Sequence, residues 1–322
     1  MKKSTKISLI VAASLTLIGC VMFTTAMSVN NWDFMKLSTV EYEDNSYEIS
    51  ESFDSISVIT DVADVKFLPS SDGVCRVVSH ESENERHSVE VVDGTLTVKL
   101  EDTGAWRENI AIMSFDYPKV TVYLPVGEYG TLTLLGSTGA VEIPEDFSFN
   151  EVDINVTTGY VKYSASVNGF LNIRAETGYV SIENLSCGEL RVKTTAGMIK
   201  GANISCSGRV DLKVGTGKTT LANLHADSLY SRGDTGKLIL TDVTAAGVMD
   251  ISRDTGDVKF ERCDAGEIYV RTDTGDVTGT LLSEKLFFVS TDTGKKRVPM
   301  TEGGGKCVIE TDTGDIIITI AN

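Results

Sequence analysis

The chain has 322 residues, with 29 Lys and Arg against 46 Asp and Glu, a formal charge of −17. So acidic a chain lacks the basic surface that nucleic-acid binding demands. Its three histidines, His80, His87 and His225, and the absence of any Cys-x-x-Cys pair disfavour most metal and acid–base chemistry. With 41% hydrophobic residues, 29 Gly and 5 Pro, it is neither disordered nor collagen-like.

The amino terminus reads as one transmembrane helix. Lys2, Lys3 and Lys6 precede an uncharged stretch from Ile7 to Val29, and Asp33 beside Trp32 is the next charge. As a helix, residues 7–29 span roughly 34 Å, enough for the hydrocarbon core. Lysines only on the leading side predict a cytoplasmic amino terminus and an extracellular carboxy-terminal body at the cell membrane. Two processed forms compete with the uncleaved anchor. Leu17-Ile18-Gly19-Cys20 looks like a lipobox with Cys20 as the lipid-bearing residue, although apolar Val21-Met22-Phe23 follows it. Ala26 could serve a signal-peptide cleavage site.

Residues 31–50 read as a linker. Strands are expected at Ile56–Val58, Val65–Phe67, Ser88–Val92, Thr95–Leu100 and Lys119–Leu124, with a hairpin turn at Asp93-Gly94. Asp102 to Asp116 shows no period and predicts an irregular loop. Residues 51–130 are expected to cap the repeats that follow in 131–322, after the anchor of 1–30.

Those repeats are the strongest signal. A small polar residue then Gly recurs at Gly139, Gly159, Gly178, Gly197, Gly217, Gly236, Gly256, Gly275, Gly294 and Gly314, in steps of 19 or 20. Apolar residues alternate on both sides, as in Val152/Ile154 before Gly159 and Val161/Tyr163 after it. Period two means strands with one buried face. A repeat this short cannot bury that face alone and has no room for a helical crossover. The predicted fold is therefore all-β, a β-solenoid of 19–20-residue rungs, with Gly at a bend that needs positive φ or close backbone approach. The apolar strand Ile316–Ile320 is expected to form an exposed final rung.

Several motifs identify a family. Phe53-Asp54-Ser55-Ile56, Asp64-Val65-Lys66-Phe67, Asp93-Gly94-Thr95-Leu96, Val120-Thr121-Val122-Tyr123-Leu124-Pro125 and the Asp-Thr-Gly-Asp-Val copies at 254–258 and 273–277 resemble the bacterial "putative adhesin" domain family, also called toast-rack. Asn31-Trp32-Asp33-Phe34 after the anchor looks like members from Gram-positive bacteria. The resemblance implies adhesion or envelope-stress signalling and carries no catalytic residues.

Within the rungs, Asp254, Asp273, Asp292 and Asp312 precede the Gly by two, and Asp257, Asp276 and Asp315 follow it by one. Stacked acids at a turn suggest a weak calcium site. The competing account is turn capping by Asp together with ion pairs to a basic column four residues before the Gly, at Arg174, Lys193, Lys213, Arg232 and Arg271. Cys187 and Cys206 fall at equivalent positions of adjacent rungs, a disulfide candidate in an exported chain. Cys263 and Cys307 occupy core positions. Lys218-Thr219-Thr220 lacks the spacing of a phosphate loop. Tyr160, Tyr163, Tyr179, Tyr230 and Tyr269 could stack on sugars but suit strand faces better. The leading expectation is a membrane-tethered, adhesin-like binding module without catalysis or cofactor, meeting a surface glycan or envelope protein. The alternatives are an envelope sensor docking a membrane protein and, third, a polysaccharide-acting β-helix enzyme.

Overall fold

The computed structural model describes residues 3–33, 41–82, 85–101 and 116–321. Most of the expected loop at Asp102–Asp116 thus lies outside the described residues. Helix α1 (Lys3–Val29) is long and apolar enough to cross a membrane, with a mean hydropathy of 2.3. The rest is a β-solenoid of about ten turns.

Seven strands build the entry end: β1 (Tyr42–Ile49), β2 (Ser55–Ile59), β3 (Asp64–Pro69), β4 (Cys75–Ser82), β5 (His87–Val92), β6 (Thr95–Leu100) and β7 (Lys119–Leu124). β2 and β3 stack in parallel on the first rung, with Ile56 opposite Leu132 and Val65 opposite Val141. β6 and β7 stack outside them. The pairing then turns antiparallel: β5 lies on β6, β4 on β7, and β1 closes the end on β4. β1 forms inside the stretch expected to be a linker.

Each rung is named here by its bend glycine. In rung 159 three inward pairs fill the core, Val152/Ile154, Val161/Tyr163 and Ala165/Val167. The next rung repeats them as Leu171/Ile173, Val180/Ile182 and Leu185/Cys187. The parallel register places like on like, Val161 opposite Val180 and Ile154 opposite Ile173. One continuous apolar core results, which no single rung could make.

Both expected properties of the bend glycines are present. Gly159 has φ 158° and Gly217 φ 146°. A Cβ on either would collide with the carbonyl oxygen of the glycine one rung below. A second corner holds Asn184, Asn203 and Asn223 at φ 58°, 55° and 52°. Asn tolerates this left-handed region better than most residues. The amides also form a ladder, Asn203 Nδ2 donating to Asn184 Oδ1 at 2.9 Å and Asn223 Nδ2 to Asn203 Oδ1 at 3.0 Å. Asp242 and Arg262 continue the corner, and the Arg262 guanidinium binds the Asp242 carboxylate.

The expectation of an exposed final rung at Ile316–Ile320 is overturned. Cys307–Ile309 pairs with Ile268–Val270 on one side and with Phe287–Val289 on the other. Ile316 likewise lies between Val277 and Lys296. Rung 314 is thus inserted between rungs 275 and 294, and Ile316 and Ile318 are buried. Lys285–Thr293 forms the open edge instead, with Leu286 and Phe288 exposed.

At the opposite end, His80 holds β1 in place. Its Nδ1 lies 2.7 Å from Asp44 Oδ1 and its Nε2 lies 3.0 Å from Asp116 Oδ2. Partial burial pushes the imidazole pKa down, but hydrogen bonds and charge attraction from the two carboxylates outweigh it and hold the pKa above 6.5. A raised folded pKa means that this stabilisation is complete below the unfolded value and is lost as pH rises through the folded one. Hydrogen exchange of the β1 amides, corrected for intrinsic rate, is therefore expected to quicken as the pH rises from about 6.5 through the raised folded-state pKa of His80. His80→Gln should remove that dependence.

Candidate ligand-binding face

The outward positions four residues before each bend glycine form one column along the rod. In spatial order it runs Leu135, Asn155, Arg174, Lys193, Lys213, Arg232, Ser252, Arg271, Glu310 and Ser290. Lys193 stands opposite Lys213, Lys213 opposite Arg232, and Ser252 opposite Arg271. Four cations therefore occupy four successive rungs, about 4.8 Å apart. All five basic residues of the column are exposed.

The expected ion pairs to acids two residues on do not form. None of Arg174, Lys193, Lys213, Arg232 and Arg271 lies within ion-pair distance of a carboxylate among the described residues. One reason is composition: Lys193 and Lys213 are followed by Thr195 and Gly215, not acids. Adjacent like charges held at rung spacing repel by about 0.9 kcal/mol per pair even in water. Among the described residues no carboxylate comes within ion-pair distance of these four cations to offset that cost.

Two grooves lie along this column. The first, about 380 Å³, is lined by Ser137, Asn155, Thr157, Arg174, Lys193 and Thr195, among others. The second, about 390 Å³, is lined by Arg232, Asp250, Ser252, Tyr269, Arg271 and Glu310, among others. Beside the column, Arg191 lies over the Phe170 ring at 5.2 Å and Arg209 over Tyr230 at 3.9 Å. Arg209 also pairs with Asp211 at 2.8 Å.

The acidic ladders behave differently. Asp234, Asp254, Asp273, Asp312 and Asp292 are exposed. Asp257, Asp276 and Asp315 cap backbone turns. Asp257 Oδ1 accepts from Asp276 N at 3.2 Å, Asp276 Oδ1 from Asp315 N at 2.8 Å, and Asp315 Oδ1 from Lys295 N at 2.8 Å. Lys237 also reaches Asp257 at 3.1 Å. Among the described residues no three His, Cys, Asp or Glu side chains converge to hold a metal ion.

The tyrosines form no single platform. Tyr163 is in the core, Tyr160 stacks on Tyr179 at 5.3 Å, and the Tyr269 hydroxyl donates to Glu267 at 2.8 Å. Cys187 and Cys206 are bonded to each other, with Cα atoms 4.7 Å apart. Cys263 and Cys307 are free and buried.

Two buried polar groups escaped the sequence reading. Arg253 points inward where other rungs place Thr272 or Val214, crosses Gly233 and donates to Ser231 Oγ at 2.7 Å. Burial pushes its guanidinium down to about 10. In the entry cap, His87 Nδ1 lies 2.7 Å from Glu81 Oε2 and its Nε2 lies 3.0 Å from Thr60 Oγ1. No short-range sequence pattern joins these three residues.

Comparison with known proteins places this architecture. A "putative adhesin" from Parabacteroides distasonis superposes with a TM-score of 0.50 at 12% identity, covering 76% of this chain and 98% of its own. A "putative adhesin" from Bacteroides fragilis gives 0.43 at 13% identity, covering 87% and 97%. One from Parabacteroides merdae gives 0.40 at 13% identity, covering 84% and 96%. The first of these likenesses extends to the fold alone. No curated protein matches the sequence. The Toastrack DUF4097 family model matches residues 53–218, the entry cap and the first rungs. The chain belongs to the toast-rack family.

Proposed function

We propose that this chain is a membrane-tethered, cell-surface binding module of adhesin type that performs no catalysis. The observation that carries the reading is the column of cations, repeated in register on four successive rungs and without an ion pair among the described residues. Repetition suits recognition of a repeating partner, whereas catalysis needs one unique constellation. Helix α1 supplies a means of tethering, and the similar solved structures named as adhesins agree with a surface role.

The test is to express the full chain with a tag after residue 322 and treat intact cells with protease. Loss of the tag and retention on glycan-coated or foreign-cell surfaces is the expected result. A tag protected in intact cells overturns the location. The second reading, an envelope module that docks a membrane protein, draws on the open edge at Lys285–Thr293, where Phe288 is 56% exposed. Crosslinking in the same cells separates the two. A single protein partner trapped at Phe288, without surface adhesion, favours docking.

A further inference from the structure

Resting on the binding-module reading, we propose that the ligand of the basic face is a linear polysaccharide bearing a carboxylate on its repeating sugars. Three features of the face select this chemistry.

The first is charge spacing. Arg174, Lys193, Lys213 and Arg232 present one cation per rung, with no ion pair among the described residues. A polymer with one anion per unit of similar rise meets all four at once. Binding at successive rungs then adds along the rod, as in any multivalent contact. Arg at both ends of the run offers the planar fork that matches a carboxylate in two hydrogen bonds.

The second is the lining of the grooves. Ser137, Asn155, Thr157 and Thr195 beside Arg174 and Lys193 offer hydroxyl and amide partners. These match sugar hydroxyls flanking a charged group. Tyr269 lines the second groove, with Lys306 Nζ 5.4 Å from its ring centroid. Tyr230, one column from Arg232, is already covered by Arg209 at 3.9 Å and offers no free ring there. A pyranose that stacks on the Tyr269 ring makes a contact that a polyol-phosphate chain, which has no ring, cannot.

The third is the set of acids left in place. Glu176 lines the first groove and Asp250 and Glu310 the second. In a chain of net charge −17 they repel a densely charged polymer such as a nucleic acid. A glycan charged once per sugar can set its neutral hydroxyls against them.

The experiment uses the full chain in lipid nanodiscs on a biosensor. The probes are polygalacturonate, neutral dextran and poly(glycerol phosphate), each in low and high salt. Polygalacturonate is expected to bind, and to weaken as salt rises. Lys193→Glu with Lys213→Glu should lower its affinity about tenfold or more. The matched pair Lys218→Glu with Lys259→Glu, exposed on another face, should not. Lys193→Gln with Lys213→Gln gives the same comparison without charge reversal, and unchanged melting curves confirm that both ladder variants fold. Preference for poly(glycerol phosphate) overturns the sugar assignment. Salt-insensitive binding of dextran, unaffected by the ladder variants, leaves the module reading standing and overturns this proposal. No binding to any probe, together with no retention on cells, overturns both.

Discussion

Gly217→Ala is expected to cost the solenoid more than any other single-methyl change. The backbone at Gly217 has φ 146°, a region that an L side chain rarely enters. Its new Cβ would also overlap the carbonyl oxygen of Gly197. That oxygen belongs to a backbone held by the rung beneath, so no side-chain rotation relieves the clash. The strained conformation and the displaced rung together should cost about 4 kcal/mol or more. Rungs on either side of 217 stabilise each other only through it, so the loss should split the molecule into two units that melt separately. Calorimetry or hydrogen exchange checks this. Gly303→Ala is the matched control, because a Cβ there meets nothing within 4 Å. A single unshifted transition for Gly217→Ala would refute the glycine-ladder account.

Glu81→Ala should destabilise the entry cap by about 3 kcal/mol or more. Glu81 is fully buried, and His87 is 3% exposed. The carboxylate accepts from the His87 backbone N–H at 2.8 Å and from Asn45 Nδ2 at 2.9 Å, besides its contact with the imidazole. Removing it strands three polar groups at once, and two of them have no route to water. Glu81→Gln keeps the shape and at least one acceptor, so it should lose less. The effect should be confined to β1, β4 and β5, with rungs beyond 159 unchanged, because each layer contacts only its neighbours. Hydrogen exchange resolved by segment reads this directly. Equal loss across all rungs would contradict the layered account.

The rungs were legible because one feature, a Gly at fixed spacing between alternating apolar pairs, repeats ten times. The hairpin at Asp93-Gly94 was legible too, and both residues take positive φ, 48° and 74°. Other elements left weaker traces. β4 carries Ser79 and Glu81 at inward positions, which breaks its apolar alternation. β1, Tyr-Glu-Asp-Asn-Ser-Tyr-Glu-Ile, lies on an edge with no residue fully buried, and only Tyr47 and Ile49 at its end pack against the core, too few to show an apolar alternation. The Asn corner repeats clearly only three times before Asp242 and Arg262 replace it. The basic column was visible in the spacing, but its isolation was not. Whether Arg232 meets Asp234 depends on where two exposed side chains point, which a periodicity does not encode.

The order of the last rungs was equally illegible. Rungs 294 and 314 both carry Asp-Thr-Gly and similar inward residues, so pattern alone treats them as interchangeable.

That inversion has a consequence for how the protein is made. Rungs up to 275 can each settle on the one before as the chain emerges from the ribosome. Residues 285–297 cannot, because among the described residues the strands they pair with belong to rung 314, which is synthesised after them, and the Lys285–Asp264 ion pair at 2.7 Å gives a side-chain hold on an earlier rung but no strand pairing. They must wait, unpaired, until 305–320 emerges and docks on rung 275. The end of the rod therefore closes as a two-rung unit, and ribosomes stalled between these segments would display an unfinished sheet that a protease or chaperone can recognise.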